Sequence, residues 1–331
     1  MKLRRACLLL TLLFTSGCDG VQNALNPAGP QAGRIAGLSW FMLITMSAIY
    51  IIVVGALLFA LYRSRRREPN LEVHDHQLAR VVVVAVGATA TFLVALFVLD
   101  LMTNRALNAL ERDDVFTIEL TGRQWWWDIA YGDTTSGVYF RTANELHIPV
   151  GRTIRLRLAS SDVIHSFWVP NLHGKRDLFP DHPSEIFLRA DTAGVYRGQC
   201  AEFCGQQHAN MALLVVAQEQ AEFRSWFAQQ QQPAAVPTDS LLLAGQRVFE
   251  QASCALCHTI RGTTARGTVA PDLTHFASRR ELGAGVARNT KGHLGGWVLN
   301  PHALKPHVYM PATPLGPEQL EALLAYLESL R

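Results

Sequence analysis

The chain has 331 residues, 49% of them hydrophobic and only 17% charged, with a net charge of +3. A soluble globular chain carries about a quarter charged residues, so this depletion points to membrane segments, and the apolar content excludes intrinsic disorder. So small a net charge offers no basic surface to a nucleic acid, and the length suits two or three units.

Residues 1–18 read as an export signal. Lys2, Arg4 and Arg5 form the charged start, and Cys7 to Phe14 is an apolar stretch too short to span a bilayer. Thr15-Ser16-Gly17-Cys18 then resembles a lipoprotein cleavage box, with Thr15 where such boxes carry Leu, and makes Cys18 a lipidation candidate. Residues 19–36 follow as an exported N-terminal segment. Gly37 to Tyr62 holds no charge over 26 residues, and Ala79 to Met102 is interrupted only by Arg80 and Asp100, near ends that reach the interface. Residues 37–102 are therefore expected to form a two-helix transmembrane hairpin. Arg63, Arg65, Arg66 and Arg67 place its short loop in the cytoplasm, so everything after Met102 is exported.

Beyond the hairpin the period changes. Short alternating runs predict strands at Val115–Leu120, Gln124–Tyr131, Glu145–Pro149, Thr153–Leu158, Ile164–Val169, Glu185–Ala190, Val195–Gln199 and Ala212–Ala217. Turn signals such as Gly132-Asp133 and Pro180-Asp181 separate them, which predicts an all-β sandwich or barrel within residues 103–228. A short helix near Gln218–Gln229 closes it. Residues 229–238, rich in Gln, Pro and Ala, have no apolar periodicity and read as a flexible linker. Residues 239–331 look helical at both ends, with Gly- and Pro-rich loops between, and are expected to form a small all-α domain.

Cys200, Cys204, His208 and Met211 bring two thiolates, an imidazole and a thioether into twelve residues. Gly198 and Gly205 flank the cysteines, and strands lie on both sides, so a ligand loop fits better than a helix face. Soft sulfur with imidazole suits copper or zinc. A structural zinc site has no use for Met211, and a mononuclear blue-copper site needs one cysteine rather than two. Two thiolates can bridge two coppers, and a second imidazole from another strand is then required. His147, His165, His173 and His182 are available, with His165 on an apolar strand.

These residues resemble subunit II of the haem–copper cytochrome c oxidases. The resemblance runs from about residue 37 to 228. It rests on the paired membrane helices, Gln124-Trp125-Trp126-Trp127, the His165 strand, Gly174-Lys175-Arg176-Asp177 and the Cys200–Met211 loop. It implies a cupredoxin-like β-barrel holding a dinuclear CuA centre, with Cys200 and Cys204 bridging the coppers and His165 and His208 binding one each. Met211 and the Glu202 carbonyl are the implied weak axial ligands. The Glu202 carboxylate is the implied ligand of a Mg²⁺ shared with subunit I, and Trp125 the residue where electrons enter. Read as a strand, the run puts Trp125 and Trp127 on one side and does not choose among the three tryptophans. Quinol-oxidase relatives lack the two cysteines, which places the chain on the cytochrome c-linked branch. It departs from the family in the stretch from Glu72 to Arg80, where no Trp or Pro accompanies the acid that feeds a proton path in many members; neither Glu72 nor Asp75 is assigned to that task.

Cys254-Ala255-Leu256-Cys257-His258 is the C-x-x-C-H signature of covalent haem c attachment, with His258 placed to bind the iron. Gly245 and Phe249 share a helix face ahead of it, and Leu320, Leu323, Leu324, Tyr326 and Leu327 form an apolar face in the last helix. The segment resembles the class I c-type cytochromes, including Ala270-Pro271-Asp272-Leu273 on the histidine side. The sixth ligand is expected to be Met310, the only methionine after His258, with His275, His293, His302 and His307 as alternatives. Thioether ligation raises the potential, as suits a respiratory donor.

The combination resembles subunit II of a caa-type oxidase in the bacterial cytoplasmic (inner) membrane, with both redox domains on the outer, periplasmic face. Electrons from cytochrome c would pass through its own haem c to CuA and on to subunit I, where oxygen is reduced to water with proton pumping; subunit III is a further expected partner. The chain is then not catalytic alone. Residues 112–228 carry 11 basic and 14 acidic side chains, against 9 and 7 over residues 239–331, a complementarity that suits a mobile encounter across the linker. The alternatives are the CuA subunit of a membrane nitric-oxide reductase and a non-catalytic membrane-anchored copper or haem carrier.

Overall fold

The computed structural model describes residues 20–65, 75–108, 116–133 and 137–331. The expected export signal, Cys18, Arg66, Arg67 and Glu72 lie outside the described residues. The chain divides into two units, residues 33–112 and residues 1–32 with 113–331.

The first of these is built from α1 (Pro30–Ser64) and α2 (Asp75–Asn108). At 1.5 Å per residue each is roughly 50 Å long, ample for a hydrocarbon core of about 30 Å. Their most apolar 18-residue windows have mean hydropathy 2.5 and 2.7, and none of either window is buried. Sides this apolar and this exposed are stable only in lipid. The hydroxyls of Thr45, Thr89, Thr91 and Thr103 each donate to the carbonyl four residues back, so they carry no unpaired polar group into the bilayer.

The other unit opens with ten strands: β1 (Phe116–Arg123), β2 (Trp126–Asp133), β3 (Gly137–Ala143), β4 (Glu145–Pro149), β5 (Ile154–Ser160), β6 (His165–Trp168), β7 (Arg176–Leu178), β8 (Ser184–Leu188), β9 (Gly194–Cys200) and β10 (Ala212–Gln218). They form two five-stranded sheets, ordered β3-β2-β1-β5-β8 and β4-β10-β9-β6-β7. β1 runs parallel to β5 and β4 parallel to β10; the other neighbours are antiparallel. Strict alternation drives the pairing. Ile154, Leu156 and Leu158 of β5 point inward, with Ile118 and Leu120 of β1, and meet Phe167, Leu213 and Val215 of the other sheet in one core. This is a cupredoxin-like fold.

Two strands, β3 and β7, escape the sequence pattern. Each lies at one edge of its sheet, opposite β8 and β4, and β7 is only Arg-Asp-Leu, too short to carry a pattern. β2 starts at Trp126 rather than Gln124, so Gln124 and Trp125 sit in the turn from β1. Helix α3 (Gln220–Gln231) then packs Phe223, Trp226 and Phe227 against Phe116, Tyr131 and Phe140.

The C-terminal part contains α4 (Ser240–Gln251), α5 (Cys254–Cys257), a ribbon of β11 (Glu281–Leu282) and β12 (Ala287–Arg288), α6 (Lys291–Leu299), α7 (Pro301–Leu304) and α8 (Pro317–Ser329). The Asp239 side chain caps α4, accepting from the amides of Leu241 and Leu242 at 2.8 and 3.3 Å. α4 crosses α8 at Gly245, where a Cβ would lie 2.0 Å from the Ala322 carbonyl oxygen. Phe249 packs edge-on to Tyr326 beside that crossing, over Ile260, Leu294, Val298, Leu323 and Leu327.

The stretch expected to be a flexible linker is pinned. Its first glutamines complete the last turn of α3. The Arg261 guanidinium donates to the carbonyls of Gln230 and Gln231 at 2.5 and 3.0 Å, His275 Nε2 donates to the Gln232 carbonyl at 3.0 Å, and the Ala234 amide donates to the Arg261 carbonyl at 2.9 Å. Those partners lie 27 to 43 residues downstream, where local composition gives no sign of them.

Candidate metal centre

The loop from β9 to β10 and the start of β6 place the sulfur and imidazole groups together. Phe167 of β6 pairs with Cys200 of β9, so His165 stands beside the first cysteine. The amide of Cys200 donates to the Met211 carbonyl at 2.9 Å, closing the loop at its neck. Gly205 follows Cys204 with φ +112°, and a Cβ there would press on Gln124 Nε2 and Trp125 at 3.0 and 3.1 Å. Only glycine fits that turn.

The ligand atoms of His165, Cys200 and Cys204 all lie within 4.8 Å of one another, and all three residues are buried. The two sulfurs are 3.7 Å apart and form no disulfide. Cys200 Sγ lies 3.9 Å from His165 Nδ1 and 3.2 Å from the Glu202 carbonyl oxygen. Cys204 Sγ lies 3.7 Å from His208 Nδ1 and 3.8 Å from Met211 Sδ. Each thiol thus has its own imidazole nitrogen and its own weak donor. That donor set matches two soft metal ions sharing two thiolates.

The charges suit it. Hydrogen bonding from Cys204 draws the Cys200 thiol down into the thiolate range, while the same contact and burial push Cys204 up. Burial works against a charged His165, but its hydrogen bonds with Asp162 and Cys200 outweigh it and raise its pKa.

Sequence reasoning gave Asp162 no role, although it stands three residues before His165. His165 Nε2 donates to Asp162 Oδ1 at 2.8 Å, which fixes the tautomer and leaves Nδ1 facing Cys200. Asp162 is itself held by the amides of Gln124 and Val163, both at 2.7 Å. The other histidines weighed in this domain stand elsewhere: His147 stacks on Trp226, His182 stacks on Phe179, and burial lowers His173 to about 4. The Glu202 carboxylate faces outward, accepting from Lys175 at 3.0 Å. Trp125 is 7% exposed and its Nε1 donates to the Cys204 carbonyl at 2.9 Å. Trp127 is fully buried with its ring centroid 6.1 Å from that of His165, while Trp126 lies under Arg123. Two of the three tryptophans therefore border the cluster, from different directions.

In the C-terminal part α5 carries Cys254 and Cys257 as free thiols. His258 follows, its Nδ1 donating to the Pro271 carbonyl at 2.8 Å, so Nε2 keeps its lone pair for a metal. Burial lowers its pKa and keeps the ring neutral. His275 spends Nε2 on the Gln232 carbonyl, and His293 spends Nδ1 on Thr290 and the Arg288 carbonyl. Met310 lies in the partly exposed loop between α7 and α8.

A family model described as cytochrome c oxidase subunit II, periplasmic domain, matches residues 137–218, and one described as cytochrome c matches residues 242–331. Cytochrome c oxidase subunit 2 of Alkalihalophilus pseudofirmus is 35% identical over 331 aligned residues, covering 96% of this chain and 94% of its own. That of Bacillus subtilis is 27% identical, covering 99% and 98%. The solved periplasmic domain of subunit II of the Bradyrhizobium japonicum cytochrome oxidase aligns with 35% of this chain and 93% of its own, at 33% identity and a TM-score of 0.33. The chain belongs to the cytochrome c oxidase subunit 2 family, with a cytochrome c domain following the periplasmic domain. It is an electron-transfer subunit of an oxidase, anchored by apolar helices.

Proposed function

We propose that this chain receives electrons from a cytochrome c donor on its own haem c and passes them through a dinuclear CuA centre to subunit I of a haem–copper oxidase, where oxygen is reduced to water with proton pumping. The observation that carries this is the cluster of two unlinked thiols 3.7 Å apart, each with a separate imidazole. Cys200, Cys204, His165 and His208 would hold the copper pair, with Met211 and the Glu202 carbonyl as weak further donors. Cys254 and Cys257 would attach the haem covalently, and His258 and Met310 would supply its iron ligands. Bound copper and haem supply reversible one-electron chemistry. The chain's own residues fix the donors, keep water out of the buried sulfur pair and hold His165 in one tautomer.

The Glu202 carboxylate, now paired with Lys175, is the proposed ligand of a Mg²⁺ shared with subunit I. Cys18 is the proposed lipid anchor, and the location is the bacterial inner membrane with both redox domains on its periplasmic side. Subunit III is a further proposed partner.

Metal analysis and electron paramagnetic resonance of the purified complex test the reading. Two coppers per chain with one unpaired electron spread over both nuclei, together with one covalent haem, are expected. A four-line signal from a single copper at full loading, or zinc in place of copper, overturns it.

A further inference from the structure

Residues of the cytochrome c domain reach across to the cysteine loop at three places. The first is the tip of the β11–β12 ribbon. The Ala284 carbonyl accepts the amide of Ala212, the residue after Met211, at 3.0 Å. A Cβ on Gly285 would lie 2.7 Å from the Ala212 methyl. Beside it, the Arg280 amide donates to buried Glu145 at 2.5 Å, and Arg197 faces Glu281 at 3.8 Å.

The second is Lys305. It is 2% exposed, and its ammonium donates at 2.7 Å both to the Trp125 carbonyl and to the Gly283 carbonyl. A lysine this buried is rare unless its charge is partnered. Burial pulls its pKa down to about 7 against the opposing pull of Cys204, and the two carbonyls accept its protons. One side chain thereby ties the turn bearing Trp125 to the ribbon tip.

The third is Tyr309, the residue before Met310. Its ring lies parallel to that of Trp125, 10° from coplanar with centroids 5.8 Å apart. Its hydroxyl donates to Gln124 Oε1 at 2.9 Å, and Gln124 Nε2 donates in turn to the Cys204 carbonyl at 2.8 Å. That same carbonyl accepts Trp125 Nε1. A continuous set of contacts therefore runs from the neighbour of Met310 to Cys204.

We propose that Lys305 and Tyr309 form a latch that seats the cytochrome c domain on the Trp125 face of the copper domain, with Tyr309 the positioning residue that joins the Met310 loop to Trp125 and Cys204. The proposal rests on the functional reading above and deepens it: the partner of the Trp125 face is the chain's own cytochrome domain, and an external donor does not reach Trp125 while the latch is closed. Haem held by Cys254, Cys257 and His258 and copper held by the cysteine loop would supply one-electron donor and acceptor chemistry, one electron given up by the first for each one taken by the second, and Tyr309 and Trp125 would stand between them with no proton to transfer.

The test uses the purified complex carrying Lys305→Met, Tyr309→Ala or Tyr309→Phe. Two readouts are taken: hydrogen exchange at the amides of Ala212 and Arg280, and the rate of haem-to-copper equilibration after flash reduction of the haem. Copper and haem content are measured first; their absence from the unaltered chain sinks the functional reading, not the latch. With both present, Lys305→Met is expected to speed exchange at both amides at least tenfold. Tyr309→Ala, at a side chain 75% exposed and so unable to empty a core, is expected to slow equilibration at least tenfold with both optical spectra unchanged. Tyr309→Phe, which keeps the ring, is expected to restore most of that rate. If Lys305→Met leaves exchange at both amides as it was, there is no latch. If Tyr309→Ala equilibrates as fast as the unaltered chain, Tyr309 positions nothing. Failure of Lys305→Met to assemble leaves Tyr309→Ala to decide.

Discussion

His165 is held at both ring nitrogens, by Asp162 on one side and by the sulfur cluster on the other. A carboxylate behind a metal-binding imidazole sets its orientation and basicity, and its loss typically costs about 10- to 100-fold in metal affinity. On the proposed copper site, Asp162→Ala is therefore expected to weaken copper retention by about tenfold, read as faster loss to a chelator, without emptying the site. Retention equal to that of the unaltered protein would show that burial alone orients the ring. Met211 sits differently. Its thioether lies 3.8 Å from Cys204 Sγ, and a weak thioether donor would tune a copper site more than hold the metal. Met211→Leu is expected to leave two coppers bound and to shift the potential measured by redox titration; loss of a copper would make Met211 a structural ligand.

At the scale of elements, the crossing of α4 and α8 decides whether the cytochrome domain forms. Ala is favoured over Gly inside a helix by about 1 kcal/mol. At Gly245 the added methyl would lie 2.0 Å from the Ala322 carbonyl oxygen and 2.6 Å from Tyr326 Cβ, and forcing packed elements apart costs about 1–3 kcal/mol or more. Because the close atom is backbone, sterics win: Gly245→Ala is expected to lower the thermal midpoint of that domain and reduce covalent haem incorporation, whereas an unchanged midpoint would mean the helices slide freely. The sequence made this crossing legible, as it did β5, whose inward positions recur every second residue, and β10, an almost wholly buried apolar run. It concealed β3, β7 and the ribbon of β11 and β12; β7 is three residues long and the ribbon two on a side, too short for a period to show. The metal donors were legible because four of them share twelve residues. Asp162 gave a local hint, three residues from His165. Lys305 and Tyr309 gave none, since their partners stand 180 and 185 residues away. Nor did Arg261 and His275, which turn a Gln- and Pro-rich stretch from tether into packed segment.

For the molecule as a whole, that packed segment changes what the cytochrome domain is. A free tether would let the domain visit the copper site intermittently at an effective concentration near mM. Here the segment, the ribbon tip, Lys305 and Tyr309 hold it in one place, and Trp125 is covered. Ending the chain after Gln232 removes all of these but no strand of either sheet, and α3 stays whole but for its contacts with Arg261. The shortened subunit is thus expected to insert, to assemble and to bind copper at two per chain. Its uncovered Trp125 should let small chemical donors reduce the copper faster than in the full chain. Turnover with the native cytochrome c should fall more than tenfold, because the exposed face keeps Glu145 and Arg197 without the Arg280 amide and Glu281 that match them, and specific docking depends on such matching. Oxygen consumption with each donor, measured on both forms at equal copper content, separates the two effects. Undiminished turnover with the native donor would mean that this face accepts an external cytochrome as readily as its own, and the cytochrome domain would then be an accessory rather than the obligatory relay.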